Sequence, residues 1–128
     1  FKHVNANHGH SVGDEVLSTV ATRILAGLRG SDIAGRYGGE EFAIVLPETD
    51  LESAAEIVAE RLRETIDARP IDTAEGPLHV SISVGVVGVN LDHESLLDAL
   101  TRADAGLYAA KHAGRNRVVR GSPDLPHT

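Results

Sequence analysis

The paired glycines Gly38 and Gly39 lie between two short apolar runs. Glycine tolerates the positive φ of a tight two-residue hairpin turn, so this pattern predicts two antiparallel strands joined at the glycines. Glu40 and Glu41 follow directly. A tip without Cβ atoms admits a bulky ligand against the backbone, and carboxylate oxygens are suitable ligands for a hard cation. The segment therefore predicts either a site for a metal-bound phosphate or an ordinary hairpin with solvated acids.

Composition limits what the chain can be. Its 128 residues suit one domain with a hydrophobic core. The formal charge of −7 argues against a binder of nucleic acid polymers or of anionic membranes, since both need a basic surface. No apolar run has the length of a membrane span, and the absence of cysteine excludes disulfides and thiolate metal sites. Because the sequence begins at Phe1 and contains no methionine, we expect it to be part of a longer protein.

Three segments, roughly 14–28, 51–68 and 95–113, have apolar residues at helical spacing. Asp14 is expected at the start of the first helix, where an acid complements the helix dipole, and Gly114 at the end of the third, where glycine is the usual cap. The residues expected to face the core are Val16, Leu17, Val20, Ala21, Ile24, Leu25 and Leu28 in the first helix, Leu51, Ala54, Ala55, Val58, Ala59, Leu62 and Ile66 in the second, and Leu96, Leu97, Leu100, Ala103, Leu107 and Ala110 in the third.

Strands are predicted at 33–37 and 41–46 on either side of the glycines, at 78–86, where apolar residues alternate, and at 117–119. A further strand is expected ahead of the first residue. Residues 121–128 are polar and contain prolines, so we expect a flexible tail. A hairpin and separate strands with helices over one face form an α+β fold around a mostly antiparallel sheet.

Four blocks of the sequence match those of one protein family in order and spacing. The first is the turn itself, read from Arg36 to Phe42 as RYGGEEF. The other three are Phe1-Lys2 with Asn5, Gly9-His10 with Gly13-Asp14, and Ala110-Lys111 with Gly114-Arg115-Asn116. On these blocks the chain resembles the GGDEF domain, the catalytic module of diguanylate cyclases, in its GGEEF form. The resemblance covers about residues 1–119 and implies a domain at 1–120 that lacks its first strand.

The resemblance implies a cyclase-like fold with a ferredoxin-like core, and it implies a reaction. Two GTP molecules condense to cyclic di-GMP with loss of two pyrophosphates, at a homodimer in which each subunit holds one GTP. Mg²⁺ or Mn²⁺ is the implied cofactor, because hard divalent cations neutralise phosphate charge. The resemblance also implies a cytoplasmic domain without membrane contact of its own. An upstream sensory or receiver domain would control it, in a protein that could itself be anchored to a membrane.

The resemblance assigns roles to residues around the turn. Glu40 is a metal ligand and a candidate base for the attacking hydroxyl, and Glu41 is a second acid at the metal. Gly38 and Gly39 give the phosphates room. Lys2 resembles the cation that stabilises the charge of the transition state.

Five further residues resemble nucleotide contacts. Asn5 and Asp14 resemble the readers of the guanine base, and His10 lies beside them in the sequence. Lys111 and Arg115 resemble a clamp on the phosphates. Each has a simpler interpretation: Asn5 as a turn residue, Asp14 as an N-terminal helix acid, and His10 as a capping or packing residue. Lys111 and Arg115 are also typical of a helix C-terminus, where cations complement the dipole.

Arg29 and Asp32 have the form of the family's RxxD inhibitory site, at which the product binds and damps the enzyme. A guanidinium can bind the Hoogsteen edge of guanine through two hydrogen bonds, and a carboxylate can accept from the Watson–Crick edge. Arg61, on the following helix, resembles an additional contact. The alternative interpretation is a helix end followed by a solvated turn.

Two departures from the family pattern matter. The family has a metal-binding Asp shortly before the Phe-Lys pair, and this sequence starts at that Phe. We therefore expect these 128 residues alone to bind the cation weakly and to have little cyclase activity. Ala6 stands where the family usually has Asp. Two other functions stay open, namely an inactive signalling domain that binds GTP or cyclic di-GMP, and a structural dimerisation module.

Overall fold

The computed structural model describes residues 10–37 and 40–121, without the side chain of His10. The described part consists of helices and short strands, which is the α+β class that the sequence predicts. None of its helices is both long enough and apolar enough to cross a membrane. The predicted tail falls outside the described residues from Ser122 onward.

The chain divides into two compact units. The first extends to Pro47 and includes Thr65–Val80, and the second comprises Glu48–Glu64 and the chain from Ser81 onward. The first unit therefore contains the predicted hairpin, and the second contains the predicted third helix.

Helix α1 (His10–Ala26) begins at His10 instead of near residue 14. Asp14 consequently lies in the second turn with an exposed side chain, so the prediction that it marks the start of the helix is wrong. The predicted core face is confirmed at Val16 and Val20, which are fully buried. The same prediction is wrong for Leu25, whose exposed fraction is 58%. The apolar stripe of α1 is thus narrower than its sequence suggests.

Strands β1 (Ile33–Arg36) and β2 (Phe42–Val45) form the predicted antiparallel hairpin. Beyond the paired strands, the backbone N–H of Tyr37 donates to the carbonyl oxygen of Glu41 at 2.7 Å. Because Tyr37 pairs with Glu41, three residues connect the strands, one more than in the predicted two-residue turn. The extra residue moves the first of the two acids into the connection itself.

A second hairpin, formed by β3 (Ile71–Thr73) and β4 (Gly76–Leu78), has no counterpart in the sequence prediction. Gly76 has a φ of 98°, which glycine adopts without strain at the end of a short connection. The prediction of one strand at 78–86 is wrong. Alternation alone does not make a strand, because each position also needs a hydrogen-bonded neighbour, and in the described chain residues 79–83 pair with none.

The predicted helix over 51–68 is present but irregular. It consists of α2 (Leu51–Ser53), a π-helical segment (Ala54–Ala59) and α3 (Glu60–Ala68). Asp50 caps its start by accepting a hydrogen bond from the backbone N–H of Ser53 at 2.7 Å. The sequence does not predict the π-helical segment. A π-helical turn differs from an α-helical turn by one residue, and this difference leaves no mark in the residue types or in the apolar content. The buried positions of the predicted stripe are Ala54, Ala55, Ala59, Leu62 and Ile66.

In the second unit, β5 (Val84–Val86) and β6 (Val118–Arg120) pair in parallel, and helix α4 (Leu96–His112) packs against both strands. The backbones come so close that a Cβ atom on Gly85 would lie 2.1 Å from the carbonyl oxygen of Ala103. The other two strand pairs are antiparallel, so the prediction of mostly antiparallel pairing is confirmed for the described strands.

Helix α4 starts as predicted at Ser95, whose hydroxyl accepts from the backbone N–H of Asp98 at 3.1 Å. Leu96 and Leu97 do not face the core, because their exposed fractions are 48% and 66%. Close contact between this helix and the strands requires small side chains, which is why alanine and glycine replace leucine on the contact face. The buried residues of α4 are Ala99, Arg102, Gly106 and Ala110.

Candidate functional site

Glu40 and Glu41 stand where the connection of the first hairpin enters β2, and both are partly buried. The hydrogen bond between the main chains of Tyr37 and Glu41 fixes this end of the hairpin. The ladder of β1 and β2 therefore positions the two acids, as the sequence predicts. Gly38 and Gly39, the predicted neighbours of the phosphates, lie outside the described residues.

A cavity of about 520 Å³ lies between α1 and the β1–β2 hairpin, within the first unit. Cavities of this volume are typical of sites for small molecules. Asp14 provides a carboxylate at its wall, and much of the remaining lining is apolar, including Leu17, Ala21 and Phe42. A carboxylate beside apolar walls can accept hydrogen bonds from the edge of a flat ring while the walls contact its faces. Asp14 and residues of the hairpin that carries Glu40 and Glu41 thus line one cavity.

Arg36 also lines this cavity, although it is not among the predicted site residues. In β1 it lies two residues after Ala34, so both side chains are on one face of the strand. Ala34 lines the cavity too, whereas Ile33 on the other face is 64% exposed. Alternation counted from the large apolar Ile33 would put Arg36 on the solvent face of the strand, so the sequence has no signal that identifies Arg36 as a lining residue.

Lys111 and Arg115 lie at the C-terminal end of α4, in the second unit. Lys111 is partly buried in the last turn, and Arg115 is exposed just beyond it. The helix ends at the predicted glycine, Gly114, whose φ is 125°. The backbone N–H of Arg115 then donates to the carbonyl oxygen of Ala110 at 2.9 Å, which is the long bond of a Schellman cap. The two predicted phosphate ligands therefore lie on either side of a capped helix end, Lys111 in the last turn and Arg115 directly after the capping glycine.

Arg29 and Asp32, the predicted inhibitory pair, are in direct contact. The Nη2 atom of Arg29 donates to Oδ1 of Asp32 at 3.0 Å and to the carbonyl oxygen of Pro47 at 3.1 Å. The side-chain hydrogen bonds from Arg29 are the main cause that holds the pKa of Asp32 below its usual value, and the bond from the backbone N–H adds to it. The carboxylate is only 3% exposed, whereas the Arg29 side chain is 58% exposed. The guanidinium is thus the accessible member of the pair.

Other predicted residues cannot be placed in the same way. Lys2 and Asn5 lie outside the described residues, as does the side chain of His10. Arg61 is described, and it is exposed on α3 in the second unit. Its role beside the RxxD pair stays a prediction.

The hairpin offers a small set of carboxylate ligands to a divalent cation. Within residues 10–37 and 40–121, no three His, Asp or Glu side chains converge to form a cation site. Glu40 and Glu41 supply two carboxylates at one place in the chain. Two carboxylates suit Mg²⁺, which keeps waters and phosphate oxygens as its other ligands. The residues therefore fit a cation that arrives with a phosphate group better than one caged by protein alone.

Comparison with known proteins places the chain in a family. The family model described as diguanylate cyclase, GGDEF domain, matches residues 1–117. Diguanylate cyclase A of Treponema denticola is 44% identical over 126 residues, covering 98% of this chain and 34% of the relative. Response regulator PleD of Caulobacter vibrioides is 43% identical over 121 residues, covering 93% of this chain and 26% of the relative. The chain spans about a quarter to a third of the length of these relatives.

Solved structures are similar over nearly the whole chain. The GGDEF domain of DgcB from Caulobacter crescentus, in complex with c-di-GMP, has a TM-score of 0.85 at 34% identity, covering 93% of this chain and 70% of that one. The active GGEEF domain of a diguanylate cyclase from Vibrio cholerae has a TM-score of 0.84 at 33% identity, covering 96% and 77%. The predicted cyclase-like fold is confirmed. The chain belongs to the GGDEF family of diguanylate cyclases.

Proposed function

We propose that the full-length protein is a diguanylate cyclase, which condenses two GTP molecules to cyclic di-GMP and two pyrophosphates, and that residues 1–120 form its catalytic domain. The observation that carries this proposal is the cavity between α1 and the β1–β2 hairpin, because Asp14 and Phe42, the residue that follows Glu41, both line it. The catalytic domain acts in the cytoplasm, where GTP is available. An upstream sensory or receiver domain controls it.

Recognition of the base follows from the chemistry of the cavity. Guanine presents two neighbouring N–H donors on one edge, and the Asp14 carboxylate accepts both. Adenine lacks this pair of donors, so it would leave the carboxylate without partners in the site. Asn5 and His10 complete the recognition of guanine. The apolar walls, of which Leu17 is one, contact the faces of the ring.

Two groups of residues are the proposed ligands of the triphosphate. Gly38 and Gly39 allow the phosphates to approach the main chain, while Lys111 and Arg115 donate hydrogen bonds to phosphate oxygens. Glu40 and Glu41 hold Mg²⁺ or Mn²⁺, which when bound neutralises phosphate charge.

Each half of the reaction is a displacement at phosphorus. The 3′-hydroxyl oxygen of one GTP forms a bond to the α-phosphorus of the other, and the bond from that phosphorus to the departing pyrophosphate breaks. Glu40 accepts the proton of the hydroxyl, and Lys2 stabilises the negative charge that develops in the transition state. Each nucleotide both attacks and is attacked, so the reaction requires two bound GTP molecules. A homodimer supplies them, with one GTP in each subunit.

Cyclic di-GMP inhibits the enzyme through Arg29, Asp32 and Arg61. Asp32 is already bonded to Arg29 and orients its guanidinium, which remains exposed. An oriented guanidinium loses little conformational freedom when it binds a guanine edge, which favours the binding of product.

The test is to mix the full-length protein with GTP and Mg²⁺ and to quantify both products. We expect one cyclic di-GMP for every two pyrophosphates. Binding of GTP without release of pyrophosphate would instead identify an inactive receptor, and calorimetry with cyclic di-GMP would show whether that receptor binds the dinucleotide. Binding of neither nucleotide would favour the structural dimerisation module.

A further inference from the structure

The cap of α4 continues into an unusual stretch of backbone. Three consecutive residues, Gly114, Arg115 and Asn116, have φ values of 125°, 63° and 49°. Glycine adopts positive φ freely, and asparagine tolerates it better than most residues. For arginine this conformation is unfavourable, so contacts elsewhere must maintain it. The residue held in this way is one of the two phosphate ligands proposed above.

Two of the contacts that maintain this stretch are local. The backbone N–H of Arg115 donates to Ala110 in the cap, and Nε of Arg117 donates to the carbonyl oxygen of Arg115 at 3.1 Å. The third comes from a distant part of the chain. Nη1 of Arg63, on α3, donates to Oδ1 of Asn116 at 2.8 Å, across 53 positions in the sequence. All of these residues belong to the second unit.

Arg63 is itself held in place. Its Nε atom donates to Oε1 of Glu60, one helical turn earlier, at 2.8 Å, and its Nη2 atom contacts the same carboxylate oxygen. The hydrogen bond from Arg63 lowers the pKa of Glu60, so the carboxylate stays ionised and the pair stays charged near neutral pH. Only 16% of the Arg63 side chain is exposed. The guanidinium is therefore fixed on its Glu60 side and presents a donor to Asn116.

We propose that Arg63 is a positioning residue for nucleotide binding, which acts through Asn116 to hold Arg115 in the orientation that binds the triphosphate. This inference rests on the proposed function, since it requires that Arg115 is a phosphate ligand. Arg63 exerts its effect through the backbone at residues 115 and 116. Without the Arg63–Asn116 bond, Arg115 can return to negative φ, and binding the triphosphate must then restore the unfavourable conformation.

The experiment compares four variants of the full-length protein, Arg63→Met, Arg115→Ala, the double variant and Arg120→Met. Methionine keeps the aliphatic length of Arg63 but cannot donate. Arg120→Met is the matched control, because Arg120 also donates to a glutamate of the 51–68 helix, Glu56, at 2.8 Å. The measurements are the dissociation constant of a non-hydrolysable GTP analogue with Mg²⁺ and the melting temperature.

We expect Arg63→Met to weaken binding of the analogue by about tenfold, the usual effect of losing one charge-assisted bond. Arg115→Ala should also weaken binding, and the double variant should bind no worse than Arg115→Ala alone. Arg120→Met should bind like the wild type. A role in general stability would predict a different result, namely that Arg63→Met weakens binding equally whether or not Arg115 is present.

Two results would overturn the inference and can be told apart. If Arg115→Ala weakens binding but Arg63→Met does not, Arg63 has no positioning role and the proposed function stands. If Arg115→Ala binds the analogue like the wild type, Arg115 is not a phosphate ligand, and the role of Arg63 falls with that assignment. Should Arg63→Met fail to fold, Asn116→Gly provides the same test, since glycine tolerates positive φ but lacks the acceptor. Unchanged binding by Asn116→Gly would likewise overturn the inference.

Discussion

Asp32 binds Arg29 from both of its carboxylate oxygens, with Oδ1 accepting from the guanidinium at 3.0 Å and Oδ2 accepting from the backbone N–H of the same residue at 2.8 Å. A single aspartate thus fixes both the main chain and the side chain of the arginine that follows helix α1. The bond from Arg29 to Pro47 adds an anchor from beyond β2. The RxxD pair therefore exists as an ordered unit before any ligand binds.

We expect the carboxyl group of Asp32 to titrate below its usual pKa of about 3.9. The bonds from Arg29 favour the ionised form and lower the pKa in the folded state. Their contribution to stability is present above the pKa of the unfolded chain and is lost as the pH falls through the folded-state pKa. Carboxyl NMR titration measures this value, which should rise toward normal in Arg29→Ala. A wild-type midpoint at or above about 3.9 would contradict the prediction.

Arg29→Ala should weaken inhibition by cyclic di-GMP by at least about tenfold, because the charge-assisted contact between the guanidinium and guanine is lost. Initial rates of the full-length protein, at fixed GTP and rising cyclic di-GMP, provide the measurement. Arg69→Ala is the matched control, since Arg69 is an exposed arginine of the same unit. Unaltered product inhibition in Arg29→Ala would refute the inhibitory-site assignment.

Asp14→Asn should weaken GTP binding by about 10- to 100-fold and reduce the preference for GTP over ATP. An amide in this position presents donors as well as an acceptor, so it can no longer satisfy both N–H groups of guanine. Asp104→Asn, at an exposed acid of α4, serves as the control. The outcome that speaks against a guanine reader is an equal loss of affinity for GTP and ATP, measured by competition with a fluorescent nucleotide.

The sequence predicts the parts of this fold that depend on local patterns. The hairpin of β1 and β2, the start of α4 near Ser95 and the cap at Gly114 all follow from local residue patterns. The predicted end of α4 is confirmed for the same reason. Local patterns therefore predict where the hairpin acids and the pair at the helix end lie in the fold, while their roles stay predictions.

What the sequence does not predict depends on contacts between distant residues. Alternation over 78–86 indicates a strand, but only pairing decides where β4 ends and β5 begins. Leucines at helical spacing indicate a core face, yet the close approach at Gly85 selects alanine and glycine in α4. The bond between Arg63 and Asn116 leaves no local pattern at all.

The most direct test of the account is the rate of pyrophosphate release from GTP by full-length Glu40→Gln, compared with Glu52→Gln, an exposed helical glutamate. Glu40 is proposed both as a cation ligand and as the base, so we expect its variant to lose at least about 100-fold in rate while Glu52→Gln stays near the wild type. Calorimetry with cyclic di-GMP, which is proposed to bind at Arg29, verifies that the variant is folded. A Glu40→Gln enzyme that releases pyrophosphate at the wild-type rate would contradict the account.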